Sequence, residues 1–141
     1  ENARTYIQSI ESSPHYKPSD LVELLKLQLI LEEGADNRIL DTDLLTLIIW
    51  WREKYGPVPA IFQAAMRSQS PRHYLLCAPD IAWQPDPLRE NPSDRERLFE
   101  LYQHELELRN LPFDVVCGIG QSRLDCALTV LEKALSRRAT R

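Results

Sequence analysis

Two carboxylates, Asp41 and Asp43, bracket Thr42 directly after the apolar segment Arg38-Ile39-Leu40. That segment reads as a buried parallel strand. Ligands in open α/β sheets bind outside the carboxyl ends of strands, so both acids are expected where chemistry is done. A carboxylate there holds Mg²⁺ through oxygen or takes a proton from an attacking hydroxyl, and two close together divide those roles. The same residue types also cap helices, and Asp41 or Thr42 would serve the opening amides of the following helix equally well.

A second constellation lies on the segment Asp80-Ile81-Ala82-Trp83-Gln84-Pro85-Asp86-Pro87-Leu88-Arg89. Its prolines stiffen a loop after another expected strand. Trp83 offers a stacking face for a planar ring, Asp86 accepts from ribose hydroxyls, and Arg89 grips phosphate with its planar fork. The structural alternative has Trp83 anchoring the loop to the core and Arg89 pairing with Glu90 or Glu96. Arg95 and Arg97 face a transferred phosphate in one reading and pair with Asp94 and Glu100 in the other. The turn from Gly118 to Arg123, following a third strand, is placed to line a nucleotide base, although Gly-rich turns between strand and helix often only turn. His15, His73 and His104 show no ligand spacing with one another or with cysteine, which argues against zinc.

The elements that must position these residues follow from periodicity. Leu21, Leu24, Leu25 and Leu29 recur at helical spacing after Pro18, predicting a helix from Pro18 to Glu33. Leu44 to Tyr55 is apolar on almost every side and predicts a largely buried helix stopped by Gly56-Pro57. Pro59 to Arg67 predicts a shorter one. His73 to Ala78 and Phe113 to Cys117 are continuous apolar runs of strand length, the pattern of strands covered on both faces. Ser93 and Glu96 form a capping-box pattern ahead of Leu98, Leu101, Tyr102 and Leu106, predicting a helix to about Arg109. Leu124, Ala127, Leu128, Leu131 and Leu135 mark the inner face of a last helix. Strands alternating with helices predict an α/β fold, a parallel sheet with helices on both faces.

The bulk numbers bound the rest. At 141 residues and 43% hydrophobic content the chain is expected to form one domain over residues 1–141. A net charge of -4 gives no field attractive to a polyanion, so neither nucleic acid nor an anionic membrane is an expected partner. No apolar run approaches the ~20 residues that cross a bilayer. Three cysteines make an odd count, and Cys77 and Cys117 sit in apolar runs, so they are expected to be buried, reduced and structural, in keeping with a cytoplasmic setting. The chain opens Glu1-Asn2-Ala3-Arg4 rather than with Met, so upstream residues are expected in the natural protein.

Taken together, Glu1-Asn2-Ala3-Arg4, Leu40-Asp41-Thr42-Asp43, Tyr74-Leu75-Leu76 and Trp83-Gln84-Pro85-Asp86-Pro87-Leu88-Arg89 resemble the NadR-type ribosylnicotinamide kinase domain. This is a P-loop family with E-x-x-R, D-T-D and W-x-x-D-G-L-R elements in that order, and many of its relatives are known simply as ATPases of AAA type. The resemblance implies a P-loop NTPase fold of nucleoside-kinase type, a three-layer α/β/α parallel sheet in the strand order 2-3-1-4-5, N-terminally incomplete here. The family's opening strand and G-x-x-x-x-G-K-[ST] loop precede the E-x-x-R element and are not in this sequence, so this polypeptide alone is expected to turn over no ATP.

The implied activity is transfer of the γ-phosphate of ATP, with Mg²⁺, to the 5′-hydroxyl of a nicotinamide riboside-like nucleoside. By matching position, Asp41 would hold metal or activate the hydroxyl and Asp43 would assist at the acceptor. Glu1 and Arg4 would sit near the acceptor, and Trp83, Asp86 and Arg89 would belong to its lid. Pro87 stands where the family has Gly, and Ala82 where proline is frequent, both of which bear on lid flexibility. A competing expectation is a nucleotide-sensing or protein-binding module that keeps the fold without the chemistry.

Overall fold

The computed structural model describes residues 5–6, 16–33, 39–85 and 93–139. The chain falls into two compact units, residues 1–70 and 71–141.

The first unit is helical. Helix α1 spans Pro18–Glu32, α2 Leu44–Tyr55 and α3 Ala60–Ser68. Pro18 opens α1, where its missing N–H costs nothing. Asp20 reaches back to accept from the Lys17 amide at 2.6 Å, while its own amide donates to the Lys17 carbonyl at 3.0 Å. Leu21, Leu24 and Leu25 are buried, but Leu29, expected on the same face, is 40% exposed because burial of this helix ends after its second turn.

Helix α2 ends where the sequence predicts. Gly56 takes φ +85, a conformation open to glycine, and its amide closes on the Arg52 carbonyl at 3.1 Å ahead of Pro57. Leu44, Leu45, Leu47, Ile48 and Ile49 are all buried, and in α3 Phe62, Ala65 and Met66 recur at helical spacing to join them. Aromatic rings knit the unit: Trp51 lies 5.2 Å from Phe62 and 5.5 Å from Tyr55, and its indole N–H donates to the Pro57 carbonyl. Tyr55 donates to the Tyr16 carbonyl, and Lys54 Nζ sits 3.6 Å over the Tyr16 ring.

The second unit pairs β1, Tyr74–Cys77, in parallel with β2, Phe113–Val116, in the register Tyr74↔Phe113 to Cys77↔Val116. Helix α4, Arg95–Leu108, supplies the crossover that parallel neighbours require, and α5, Gln121–Ala139, packs against β2. At the end of α4, Asn110 adopts φ +53, donating to the Glu107 carbonyl while Leu111 donates to that of Leu106. This is a Schellman motif with Asn in the left-handed position. The buried Glu105 carboxylate accepts from Arg109 Nε at 3.1 Å across one helical turn.

Several expectations are corrected here. Residues 39–41 form no strand: Ile39 is 78% exposed and Asp41 stands on a bend, because among the described residues no neighbour supplies the ladder that makes a strand. The described sheet therefore has two strands, not a three-layer array. Ser93 does not cap α4. Its N-cap is Asp94, whose carboxylate takes the Arg97 guanidinium at 2.7 Å instead of a backbone amide. The buried face of α5 carries Val130 and Ala134, with Leu124, Leu128 and Leu135 about half exposed. Cys77 and Cys117 are exposed, because both stand at strand ends where the chain opens to solvent.

Candidate functional site

The parallel ladder of the second unit stops in an unusual way. The Ala78 amide donates to the Val116 carbonyl at 2.8 Å, which continues the ladder one residue past β1. In regular parallel pairing the next rung would join the Ala78 carbonyl to the Gly118 amide. Instead the Gly118 amide donates to Asp80 Oδ2 at 2.6 Å, and Arg123 Nη2 donates to the Ala78 carbonyl at 3.1 Å. Arg123 Nη1 closes the ring by donating to Asp80 Oδ1, with a further contact to the Gly118 carbonyl at 3.2 Å. An ion pair thus replaces one rung at the carboxyl ends of the two strands. The carboxyl ends of parallel strands are where open α/β sheets receive ligands.

Each member is placed by local sequence. Pro79 turns the chain out of β1 so that Asp80 projects back over the strand ends. Gly118 takes φ +99, which L side chains rarely adopt, and a Cβ there would lie 2.7 Å from Ser122 Oγ. Ser122 itself accepts from the Ile119 amide at 3.1 Å and donates to its carbonyl at 2.9 Å, tightening the turn into the start of α5. On the other side of the Asp80 loop, Arg95 donates to the Ile81 carbonyl. Three residues expected to bind nucleotide, Arg95, Gly118 and Arg123, therefore converge on the loop from Ala78 to Ile81.

The Gly118 amide, with the Arg123 guanidinium, holds the Asp80 carboxyl below the usual aspartate range against a smaller opposing effect of desolvation. Because the folded value is the depressed one, this interaction stabilises fully above the unfolded aspartate value and is lost as pH falls through the folded value. Asp80→Asn is accordingly expected to flatten the acid limb of a stability-against-pH curve while leaving its neutral-to-alkaline slope unchanged. Unfolding midpoints taken from neutral pH down to the acid transition check this, and an acid limb identical in both proteins contradicts it.

The remaining expected residues are placed as follows. Asp43 is the N-cap of α2: its Oδ1 accepts from the Leu45 amide at 3.0 Å and the Thr46 amide at 3.3 Å, and the residue is buried. The cap foreseen for Asp41 or Thr42 thus falls one or two residues later, and Asp41 is left exposed on the bend before it. Asp43→Ala is expected to cost about 0.5–2 kcal/mol in stability, whereas Asp43→Asn keeps an accepting oxygen and loses only a few tenths. Urea denaturation distinguishes them, and equal midpoints for the Ala variant and the parent would dismiss the cap. Asp41 and Asp43 belong to the first unit, and Trp83, half-buried in the loop after β1, to the second. Arg97 takes the structural alternative, paired with Asp94. Glu1, Arg4, Asp86 and Arg89 lie outside the described residues.

Asp80 is the residue that sequence reading passes over. It enters there only as the first member of the tryptophan-bearing segment, although the argument that singles out Asp41, a carboxylate just beyond an apolar strand, applies to it equally. Among the described residues no group of three or more His, Cys, Asp or Glu side chains is arranged to hold a metal, and no helix is long and apolar enough to cross a membrane.

A parallel strand pair whose carboxyl ends carry a glycine turn gripped by arginine is an arrangement suited to a phosphate-bearing ligand. A family model described as an AAA domain matches residues 1–123, and the chain belongs to this family of nucleotide-binding P-loop domains. No curated protein and no solved structure matches the chain.

Proposed function

We propose that this domain, in its natural full-length protein, transfers the γ-phosphate of ATP to the 5′-hydroxyl of a nucleoside, with nicotinamide riboside as the specific acceptor. The observation that carries the reading is the clamped turn of Gly118 and Arg123 at two parallel strand ends in an AAA domain. Within it, Arg95, Gly118 and Arg123 hold the nucleotide, and Trp83, Asp86 and Arg89 close over the acceptor with Glu1 and Arg4 beside it. Asp41 either accepts the proton of the attacking hydroxyl or holds Mg²⁺. Asp43 fixes the start of α2 and assists at the acceptor.

Mg²⁺ fits the donor set in a limited way. It binds through one or two carboxylates plus substrate phosphates rather than through an all-protein cage, and Asp41 is an exposed hard-oxygen donor of that kind. Asp41 would offer the ion one carboxylate oxygen, and the ion would supply positive charge against that developing on the transferred phosphate.

The test is phosphorylation by the full-length protein, with ATP and Mg²⁺, of nicotinamide riboside within a panel of nucleosides. A 5′-monophosphate product from nicotinamide riboside is the expected result. A second reading, a nucleotide-sensing or protein-binding module, gains support from Asp43, whose Oδ1 is already engaged by the helix it caps. That module would bind ATP yet phosphorylate no member of the panel, and this outcome would replace the kinase reading.

A further inference from the structure

All three cysteines of the chain, Cys77, Cys117 and Cys126, gather around the two strand ends of the second unit. Cys77 closes β1, Cys117 follows β2, and Cys126 lies in the second turn of α5. Cys126 Sγ lies 3.5 Å from the Cys117 amide, which donates to it, and 3.9 Å from the Val115 carbonyl. The Cys126 sulfur therefore sits directly against the backbone of Cys117, nine residues away in sequence.

Cys77 is set apart from this pair. It pairs in register with Val116, the residue before Cys117, so the pleat sends it to the other face. Cys117 is exposed and Cys126 half-buried, so an oxidant reaches the pair from solvent.

We propose that Cys117 and Cys126 are a peroxide-reactive thiol pair that closes a disulfide across the Gly118–Arg123 turn. The oxidant is a hydroperoxide. The thiolate of one cysteine attacks the O–O bond, becomes a sulfenic acid and releases water from hydrogen peroxide. The partner sulfur then displaces the hydroxyl group, the S–S bond forms and a second water leaves. Two thiols together supply the two electrons that reduce the peroxide. The Cys126 thiol beside it pushes the Cys117 thiol above its ordinary range, so the pair is slow at neutral pH and quickens as pH rises. The bridge spans the turn that Asp80 and Arg123 grip, so oxidation restrains that turn.

The experiment treats the natural full-length protein with hydrogen peroxide, alkylates the remaining thiols and maps the peptides by mass spectrometry. A peptide pair joined through Cys117 and Cys126, lighter by two hydrogens, is expected beside an alkylated Cys77, forming faster at higher pH. Cys77→Ser is expected to leave the bridge intact. Cys126→Ser, with Cys126→Ala as a second variant against misfolding, is expected to abolish it and leave Cys117 as a sulfenic acid trapped by dimedone. A bridge that includes Cys77, a bridge only between two molecules, or three alkylated thiols after treatment would each overturn the proposal.

Discussion

Replacing Asp41 with Asn in the full-length protein is expected to lower kcat for phosphoryl transfer by about 10²–10⁴-fold, the contribution usual for a positioned acid or base. The substitution keeps shape and removes both the negative charge and the ability to take a proton. Asp41 stands exposed on the bend two residues ahead of the α2 N-cap, so its loss leaves the buried cap hydrogen bonds of Asp43 untouched and the helix in place. The effect should therefore fall on kcat: with Asp41 as proton acceptor KM for ATP stays within about twofold, and with Asp41 as the metal's ligand the Mg²⁺ requirement rises as well. Steady-state kinetics on parent and variant decide the matter. Unchanged kcat would remove Asp41 from the chemistry.

Phe62→Ala is expected to destabilise the first unit by about 3–5 kcal/mol, the cost of deleting a fully buried phenylalanine and leaving a cavity behind. Phe62 has no exposed surface and leads the fully buried side chains by size. Its ring faces Trp51, which is itself tied to the Pro57 carbonyl and stacked edgewise on Tyr55, so the surroundings are held and cannot collapse to fill the gap. Urea unfolding followed by tryptophan fluorescence reads the loss. A drop below about 1 kcal/mol would mean that the site relaxes freely and that the aromatic cluster is not the rigid centre of the unit.

What the sequence reveals depends on how local each determinant is. The stop of α2 is legible because Gly56 and Pro57 act on their own backbone, and the start of α1 because Pro18 does. The runs Tyr74 to Cys77 and Phe113 to Val116 read as strands because continuous apolar character survives without knowledge of the partner, and their parallel pairing follows from the helix between them. Arg38 to Asp41 carries a similar but shorter signal and fails at Ile39 and Leu40, since a strand exists only when a neighbour meets its hydrogen bonds.

The face of α5 misleads for another reason. Leucine marks hydrophobicity, but burial falls on Val130 and the small Ala134, which periodicity of large side chains does not register. The clamp is the least legible feature. Asp80 and Arg123 are 43 positions apart and meet only because β1 and β2 lie side by side with Gly118 turning between them. Turn and arginine are visible in the sequence as candidates for nucleotide binding, and Asp80 shares with Asp41 its place beyond an apolar strand, but nothing local ties that carboxylate to Arg123.

Nucleotide bound at the carboxyl ends of β1 and β2 would meet the turn that Asp80 and Arg123 grip. Hydrogen exchange of the full-length protein, with and without a non-hydrolysable ATP analogue and Mg²⁺, measures this amide by amide. The prediction is slowed exchange at Ile119 to Arg123 when nucleotide is bound. Saturating binding of the analogue with exchange across those residues unchanged would place the nucleotide elsewhere and contradict the account.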